Sequence, residues 1–318
     1  MSPRRKPTVD LVIPVYNEAG VITKMHARVR AAVDSLPYAV SFIYVDDGSS
    51  DATEAELNSI AKTDKRVRVI PLSRNFGHQA ALTAGLDAST ADMVVSLDAD
   101  GQHPPEMVGQ MLDLIAQGYD IVQGQRAASG AELGRFKKWT SGLFYRILNA
   151  ISGTRVLPGA ADFRAMSRRA VDALKAMPEY HRFLRGMTSW IGFKTAILPY
   201  HQEERSAGVS KYSFGKMFRL AMDAIFSFSL APLYIGLSMG GIFFFLALAE
   251  MIFVLYFWVT GQTSSLAPGW SSLMFVILIV GGVLMILVGF IGVYVGYIFQ
   301  EVKRRPVYIV KKGASEND

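Results

Sequence analysis

Between Asp223 and Glu301 the chain carries a single charged residue, Glu250. Two apolar runs fill that interval, Ala231–Val259 and Leu273–Phe299, the second with no charge at all. Each exceeds the roughly 20 residues that a helix needs to cross a hydrocarbon core of about 30 Å. Buried core helices rarely reach such lengths, so the runs predict two transmembrane helices. The connector Thr260–Ser272 is uncharged and holds Gly261, Pro268 and Gly269, as a short external turn would.

Lys211, Lys216 and Arg219 precede the first run, and Lys303-Arg304-Arg305 and Lys311-Lys312 follow the second. Basic flanks favour the cytoplasmic side. The expected protein is therefore multi-pass in a cytoplasmic (inner) membrane, with its N-terminal domain and C-terminal tail in the cytoplasm. The start does not resemble a signal peptide, because Arg4, Arg5 and Lys6 lead directly into a strand pattern. The absence of cysteine excludes disulfides and thiolate metal sites, and agrees with a reducing compartment. The net charge of +6 does not point to nucleic acid. Its basic residues gather near the apolar runs, where lipid headgroups and phosphates suit them, and no nucleic-acid-binding pattern accompanies them.

The first half alternates strand-like and helix-like segments. Strands are predicted at Val9–Val15, Val40–Val45, Val67–Leu72, Met93–Leu97 and Ile121–Gln125, with helices near Val21–Leu36, Thr53–Thr63, Gln79–Ala88 and Pro105–Gln117. Such alternation predicts an α/β fold, a mostly parallel sheet with helices on both faces. Ligands of open sheets bind beyond the carboxyl ends of the strands. Four polar clusters fall at such ends: Tyr16-Asn17-Glu18, Asp46-Asp47-Gly48-Ser49-Ser50-Asp51, Ser73-Arg74-Asn75 and Asp98-Ala99-Asp100.

If strand geometry persists past Leu97, alternation points Asp98 and Asp100 the same way. A pair of carboxylates suits Mg²⁺ or Mn²⁺ completed by substrate phosphates; a polar helix-capping turn is the plainer alternative. Neither G-x-G-x-x-G nor G-x-x-x-x-G-K-[ST] occurs, and Gly208-Val209-Ser210-Lys211 lacks a phosphate loop's spacing and preceding strand. A nucleotide here would be held through a metal and side chains. Residues 135–152 set Phe136, Trp139, Leu143, Phe144, Ile147 and Leu148 on one helical face, with Lys137, Lys138 and Arg146 on another. That patterning suits an interfacial helix, as does the stretch 211–229 leading into the first apolar run.

Taken in order, the motifs resemble family 2 glycosyltransferases, in the branch that charges polyprenyl phosphates with sugars. Those that carry the resemblance are Ile13–Glu18, Val45–Thr53, Ser73–His78, Asp98–Glu106, Gly124-Gln125-Arg126, Ala161-Asp162-Phe163-Arg164, Arg182–Gly186 and Arg205–Tyr212. The resemblance covers nearly the whole chain and departs at Gly101, where the family usually has a larger apolar residue. It implies a GT-A-like catalytic domain over 1–210 with its interfacial helix at 135–152, then a juxtamembrane helix over 211–229. Transmembrane helices at 230–259 and 273–299, an external loop at 260–272 and a basic tail at 300–318 complete the layout.

The activity implied is inverting, metal-dependent transfer of a sugar from a nucleotide diphosphate sugar to a polyprenyl phosphate. Undecaprenyl phosphate is favoured as acceptor, and a UDP-sugar carrying glucose as donor. By the same resemblance Pro14, Tyr16, Glu18, Asp46 and Asp47 serve the nucleotide, and Arg205 and Lys211 close on its diphosphate. Asp100 and Gln102 are the favoured ligands of Mg²⁺ or Mn²⁺, with Asp98 nearer the sugar or in the coordination shell. Arg126, helped by Lys137 and Lys138, grips the acceptor phosphate. Asp162 matches the position the family assigns as catalytic base. A phosphate monoester with a second pKa of about 6 is already mostly anionic at neutral pH, so Asp162 is expected to orient the reactants more than to remove a proton. Relatives suggest a homotetramer. GDP-mannose-dependent synthesis of a dolichol-phosphate-mannose type is the alternative activity, and a non-catalytic membrane scaffold the alternative class.

Overall fold

Strand β1 (Thr8–Val15) buries residues on both of its faces, as a strand in the middle of a covered parallel sheet must. The computed structural model describes residues 5–127, 160–201, 231–261 and 269–311. Beside β1 lie β2 (Ala39–Asp46) and β4 (Met93–Ser96), and β3 (Val67–Pro71) pairs with β2, all parallel. The order β3-β2-β1-β4-β6-β5-β7 is completed by β5 (Ile121–Arg126), β6 (Ala160–Ser167) and β7 (Thr195–Tyr200). Strand β6 runs antiparallel to both β4 and β5, while β5 and β7 are parallel. The five strands read from sequence are all present; β6 and β7 were not expected.

Helices α1 (Ile22–Val33), α2 (Thr53–Thr63) and α4 (Val108–Ala116) cover one face, burying apolar residues at helical spacing such as Val108, Met111, Leu112 and Ile115. Right-handed crossovers place α3 (His78–Ala88) on the other face, with α5 (Arg168–Lys175) and α6 (Leu184–Trp190). Helix α3 approaches β1 closely: a Cβ on Gly85 would stand 2.2 Å from Val12 Cγ1. In β6, Ala161, Phe163 and Ala165 join the core cluster of the α1/α2/α4 face, whereas Asp162 and Arg164 are the buried polar residues of the alternate positions.

The chain forms two compact units. One contains the sheet and residues 305–311; the other contains α7 (Ala231–Val259) and α8 (Trp270–Val302). Helix α7 has the bounds of the first apolar run, and α8 extends past the second at both ends. Both are long and apolar enough to cross a membrane, with hydropathy 2.4 over Gly236–Val259 and Ile279–Val302. Gly236–Gly240 in α7 and Gly292–Gly296 in α8 each form a G-x-x-x-G pair, and of these four glycines Gly236 packs closely, against the Leu287 side chain. The amphipathic stretches 135–152 and 211–229, with Lys137, Lys138, Arg205 and Lys211, lie outside the described residues.

Candidate active site

Parallel strands end, and an antiparallel strand begins, on the same edge of a sheet. The carboxyl ends of β1, β2 and β4 therefore share a rim with the start of β6. The β4–β6 register pairs Ser96 with Arg164, so Asp98, two residues after Ser96, comes opposite Asp162, two before Arg164.

The β2 end turns at Asp46-Asp47-Gly48, and both carboxylates are buried. Asp46 Oδ1 accepts from the Ser49 backbone N–H (3.0 Å) and hydroxyl (2.5 Å). Asp47 accepts the Phe76 and Gly77 N–H groups at 2.8 and 3.0 Å, tying the turn to the Ser73–Gly77 loop. Burial pushes the Asp47 carboxyl up, opposed by those two bonds. Gly48 sits at φ 66°, and a Cβ there would lie 2.4 Å from the Arg74 carbonyl carbon, so only glycine fits. From β1, buried Pro14 leads to Tyr16, 45 % exposed at the rim. Asn17, at φ 53°, exchanges bonds with Ser49 and Ser50, and the Glu18 N–H donates to Thr53. The predicted nucleotide residues thus converge on one turn.

The aspartate pair is arranged otherwise than strand alternation suggests. Strand β4 stops at Ser96, so Asp98 and Asp100 lie in a turn and meet different partners. Asp100 Oδ1 accepts from the Gln102 N–H (3.0 Å). The Asp98 N–H donates to His103 Nδ1 (3.0 Å), which fixes the neutral His103 ring with its proton on Nε2, 3.6 Å from Asp98 Oδ2. His103 is buried, stacked on Phe163 and edge-on to Tyr200; burial lowers its pKa against the nearby carboxylates. It anchors the turn on the sheet. Gly101, at φ 74°, borders a cavity of about 300 Å³ lined also by Lys24, Met25 and Arg28 of α1.

Asp162 is the electrostatic centre. Its Oδ1 accepts from Arg164 Nη2 (2.8 Å) and Arg185 Nε (3.2 Å), and its Oδ2 from Arg185 Nη2 (2.9 Å) and Gln79 Nε2 (3.3 Å). His78 Nε2 stands 3.3 Å from that Oδ2 and 3.4 Å from Asp98 Oδ1, bridging the two carboxylates. Burial alone would raise the Asp162 carboxyl, but Arg185, His78 and Arg164 together hold it well below the usual carboxylate range. Burial works against charge on His78 too, although 42 % of its side chain is exposed; Asp162 and Asp98 prevail and push it up to about 9. Arg164 is fully enclosed, donating also to Thr188 and the Leu184 carbonyl, whereas Arg185 keeps 31 % exposure. Arg126 ends β5 beside Tyr200 in the β5–β7 register, on the exposed side of the rim.

His78, Gln79, Arg164 and Arg185 were not assigned roles from sequence. Three of them lie within the resemblance motifs; what those motifs lacked was any sign that they meet at one carboxylate.

Hard-cation binding can be tested on the donor set. Asp98, Asp100 and Gln102 are oxygen donors, but no group of three or more His, Cys, Asp or Glu among the described residues could hold a metal. Such a set fits Mg²⁺ or Mn²⁺ only when substrate phosphates complete the shell, the usual arrangement for these ions.

A mostly parallel sheet whose rim sets an acidic turn against a carboxylate–arginine centre belongs here to a glycosyltransferase. Residues 10–175 match the family described as glycosyl transferase family 2, and the chain belongs to that family. It is 38% identical to the SfII prophage-derived bactoprenol glucosyl transferase of Shigella flexneri, covering 97% of this chain and 99% of that protein. An uncharacterized glycosyltransferase of Bacillus subtilis is 39% identical over 95% of this chain and 93% of its own length. Among solved structures, glucosyl-3-phosphoglycerate synthase of Mycobacterium tuberculosis superposes with a TM-score of 0.47 at 21% identity, covering 70% of this chain and 80% of that one.

Proposed function

We propose that this enzyme transfers glucose from UDP-glucose to undecaprenyl phosphate, giving undecaprenyl-phosphate-glucose with inversion at the anomeric carbon. The observation that carries the reading is the rim itself. A buried acidic turn, a second turn carrying oxygen donors and a cation-rich centre stand side by side, in a chain resembling bactoprenol glucosyl transferases along its whole length.

In this reading Asp46, through the oxygen not used by Ser49, accepts from the N3–H of uracil, while Asp47 and Gly48 shape the turn. Pro14, Tyr16 and Glu18 form the adjoining wall. Asp100 and Gln102 hold the Mg²⁺ or Mn²⁺, which when bound offsets charge on the diphosphate leaving group. Asp98, held between His78 and His103, faces the sugar hydroxyls. Arg126 orients the acceptor phosphate, assisted by Lys137 and Lys138, and Arg205 and Lys211 close on the donor diphosphate.

Asp162 acts as an anchor. Every lone-pair direction of its carboxylate already faces a donor, and its depressed pKa makes it a poor proton acceptor. The acceptor phosphate arrives mostly ionised, so attack needs cations to bring two anions together more than it needs a base. Helices α7 and α8 would hold the enzyme in the inner membrane with the rim on the cytoplasmic side, in a homo-oligomer.

The test incubates the full-length protein in lipid nanodiscs with undecaprenyl phosphate, Mn²⁺ and a panel of nucleotide sugars. Lipid-linked glucose formed from UDP-glucose, and lost in Asp100→Ala, is the expected result. No lipid product with any donor overturns the assignment.

A further inference from the structure

Strand β3 is the last strand on its side of the sheet, and an edge strand presents unpaired N–H and C=O groups outward. Just past its end, this edge is closed by the chain's own C-terminal segment. The helix before it stops at Val302; Arg304 at φ 47° and Pro306 end helical geometry. The Ser73 N–H then donates to the Ile309 carbonyl (2.8 Å) and the Lys311 N–H to the Pro71 carbonyl (2.7 Å), with Leu72 bridged antiparallel to Val310. Two side chains pin the ends. The Tyr308 hydroxyl donates to Asp87 of α3 at 3.0 Å, and Lys311 Nζ pairs with Glu54 of α2 at 3.1 Å. Helices α2 and α3 cover opposite faces of the sheet, so four residues grip the edge from both sides. Burial, with Asp87 beside it, pushes the Tyr308 hydroxyl up to about 12, which keeps it a donor at neutral pH.

The inner side of the same short segment meets the donor turn. The Leu72 N–H donates to the Asp46 carbonyl at 2.8 Å. One residue on begins the Ser73–Gly77 loop, whose Arg74–Asn75 peptide lies against Gly48 and whose Phe76 and Gly77 N–H groups are held by Asp47. Pro71 and Ser73 therefore bond outward to the tail, while Leu72 between them bonds inward to the turn read as the nucleotide site.

We propose that Tyr308–Lys311 is a positioning strap for the donor pocket: by fixing Leu72 and Ser73 it holds the Ser73–Gly77 loop against the Asp46–Gly48 turn and sets affinity for the nucleotide diphosphate sugar. The strap touches no substrate and acts through backbone. The inference rests on the reading of Asp46 and Asp47 as donor residues.

Lys311→Pro in the full-length protein removes the N–H that bonds Pro71. Its KM for UDP-glucose rises about 3- to 10-fold, the scale of one net hydrogen bond, while kcat at saturating donor stays within about twofold. Lys311→Ala, which loses only an exposed ion pair, changes KM by less than about twofold. Because coupling is reciprocal, UDP with Mn²⁺ slows hydrogen exchange at the Ser73 and Lys311 amides of the unaltered protein. An unchanged donor KM in folded Lys311→Pro overturns the strap, as does nucleotide binding that leaves both amides exchanging at the same rate. The exchange measurement decides alone if Lys311→Pro does not fold. Asp46→Ala separates the two readings. If its donor KM is unchanged, the nucleotide assignment falls; if it rises while Lys311→Pro does not, the strap alone falls.

Discussion

Asp162→Asn separates an anchoring carboxylate from a catalytic base. Asparagine keeps one acceptor oxygen but turns an NH₂ toward groups that are themselves donors, on whichever side it faces. Arg164, 1 % exposed, and Arg185 then lose their counter-charge. Breaking a buried pair by removing one partner costs about 3–5 kcal/mol. For a unit of this size that lowers the melting temperature by roughly 6–20 °C, at about 2–4 °C per kcal/mol. With Arg185 and His78 released from their shared support, kcat/KM falls on the order of a hundredfold, equivalent to about 2.7 kcal/mol of transition-state stabilisation. The depressed pKa settles the sign of the pH dependence. Asp162 contributes its stability above the unfolded carboxylate value of about 3.9 and loses it only as pH falls through a still lower folded value, so the Asp162 carboxyl itself does not titrate between pH 5.5 and 9. Initial rates of labelled-glucose transfer to undecaprenyl phosphate, measured across that range, therefore show a loss that persists above pH 7. A variant that matches the unaltered enzyme above pH 7 and fails only below about 6, where the acceptor phosphate is protonated, refutes the anchoring argument and restores the base.

Three further outcomes follow from particular contacts. His78→Gln removes a group whose pKa is pushed up to about 9. Its stabilising effect is complete below its unfolded value of about 6.5 and vanishes as pH rises through 9, so the gap in denaturation midpoint between the two proteins narrows from pH 6.5 to 9.5. Gly85→Ala drives a methyl to 2.2 Å from Val12 Cγ1 and destabilises by about 1–3 kcal/mol; chemical denaturation checks this, and Val12→Ala in the same chain recovers most of it. Gly48→Ala must take φ 66° with its Cβ against the Arg74–Asn75 peptide, at a backbone cost of about 1–2 kcal/mol before the clash. Its donor KM rises more than about tenfold, read in the glucosyl-transfer assay.

The first half of the fold was legible because its strands are largely apolar on both faces and each ends in a polar cluster, as in Val9–Val15 before Tyr16 or Val40–Val45 before Asp46. The two long apolar runs announced α7 and α8 by length alone. Strand β6 was opaque for a physical reason: Asp162 and Arg164 interrupt it with two buried charges that satisfy each other, so no apolar run remains to be seen. The alternation argument for Asp98 and Asp100 also failed on a local detail. Strand β4 ends one residue early, and the His103 bond to the Asp98 N–H, absent from any strand pattern, decides the geometry. Likewise, nothing local ties Gln79, His78 and Arg185 to Asp162, since their contacts span as many as 84 residues of chain.

The alternation of side chains along β6 makes the site of this enzyme depend on strand register. Even-numbered positions carry Asp162 and Arg164, and odd-numbered positions carry Ala161, Phe163 and Ala165 into the core. A single-residue deletion between Ala160 and Ser167 would leave the length of the sheet almost unchanged, yet it would exchange the two sets. Phe163, the platform beneath His103, would point where the arginines converge, and two charges would enter the core beside Met111 and Val122. Point substitutions remove one contact of this site at a time; a slip of one pair in the β4–β6 ladder inverts its polarity. Such a frame shift is therefore a more complete way to silence the enzyme than any of the individual side-chain changes.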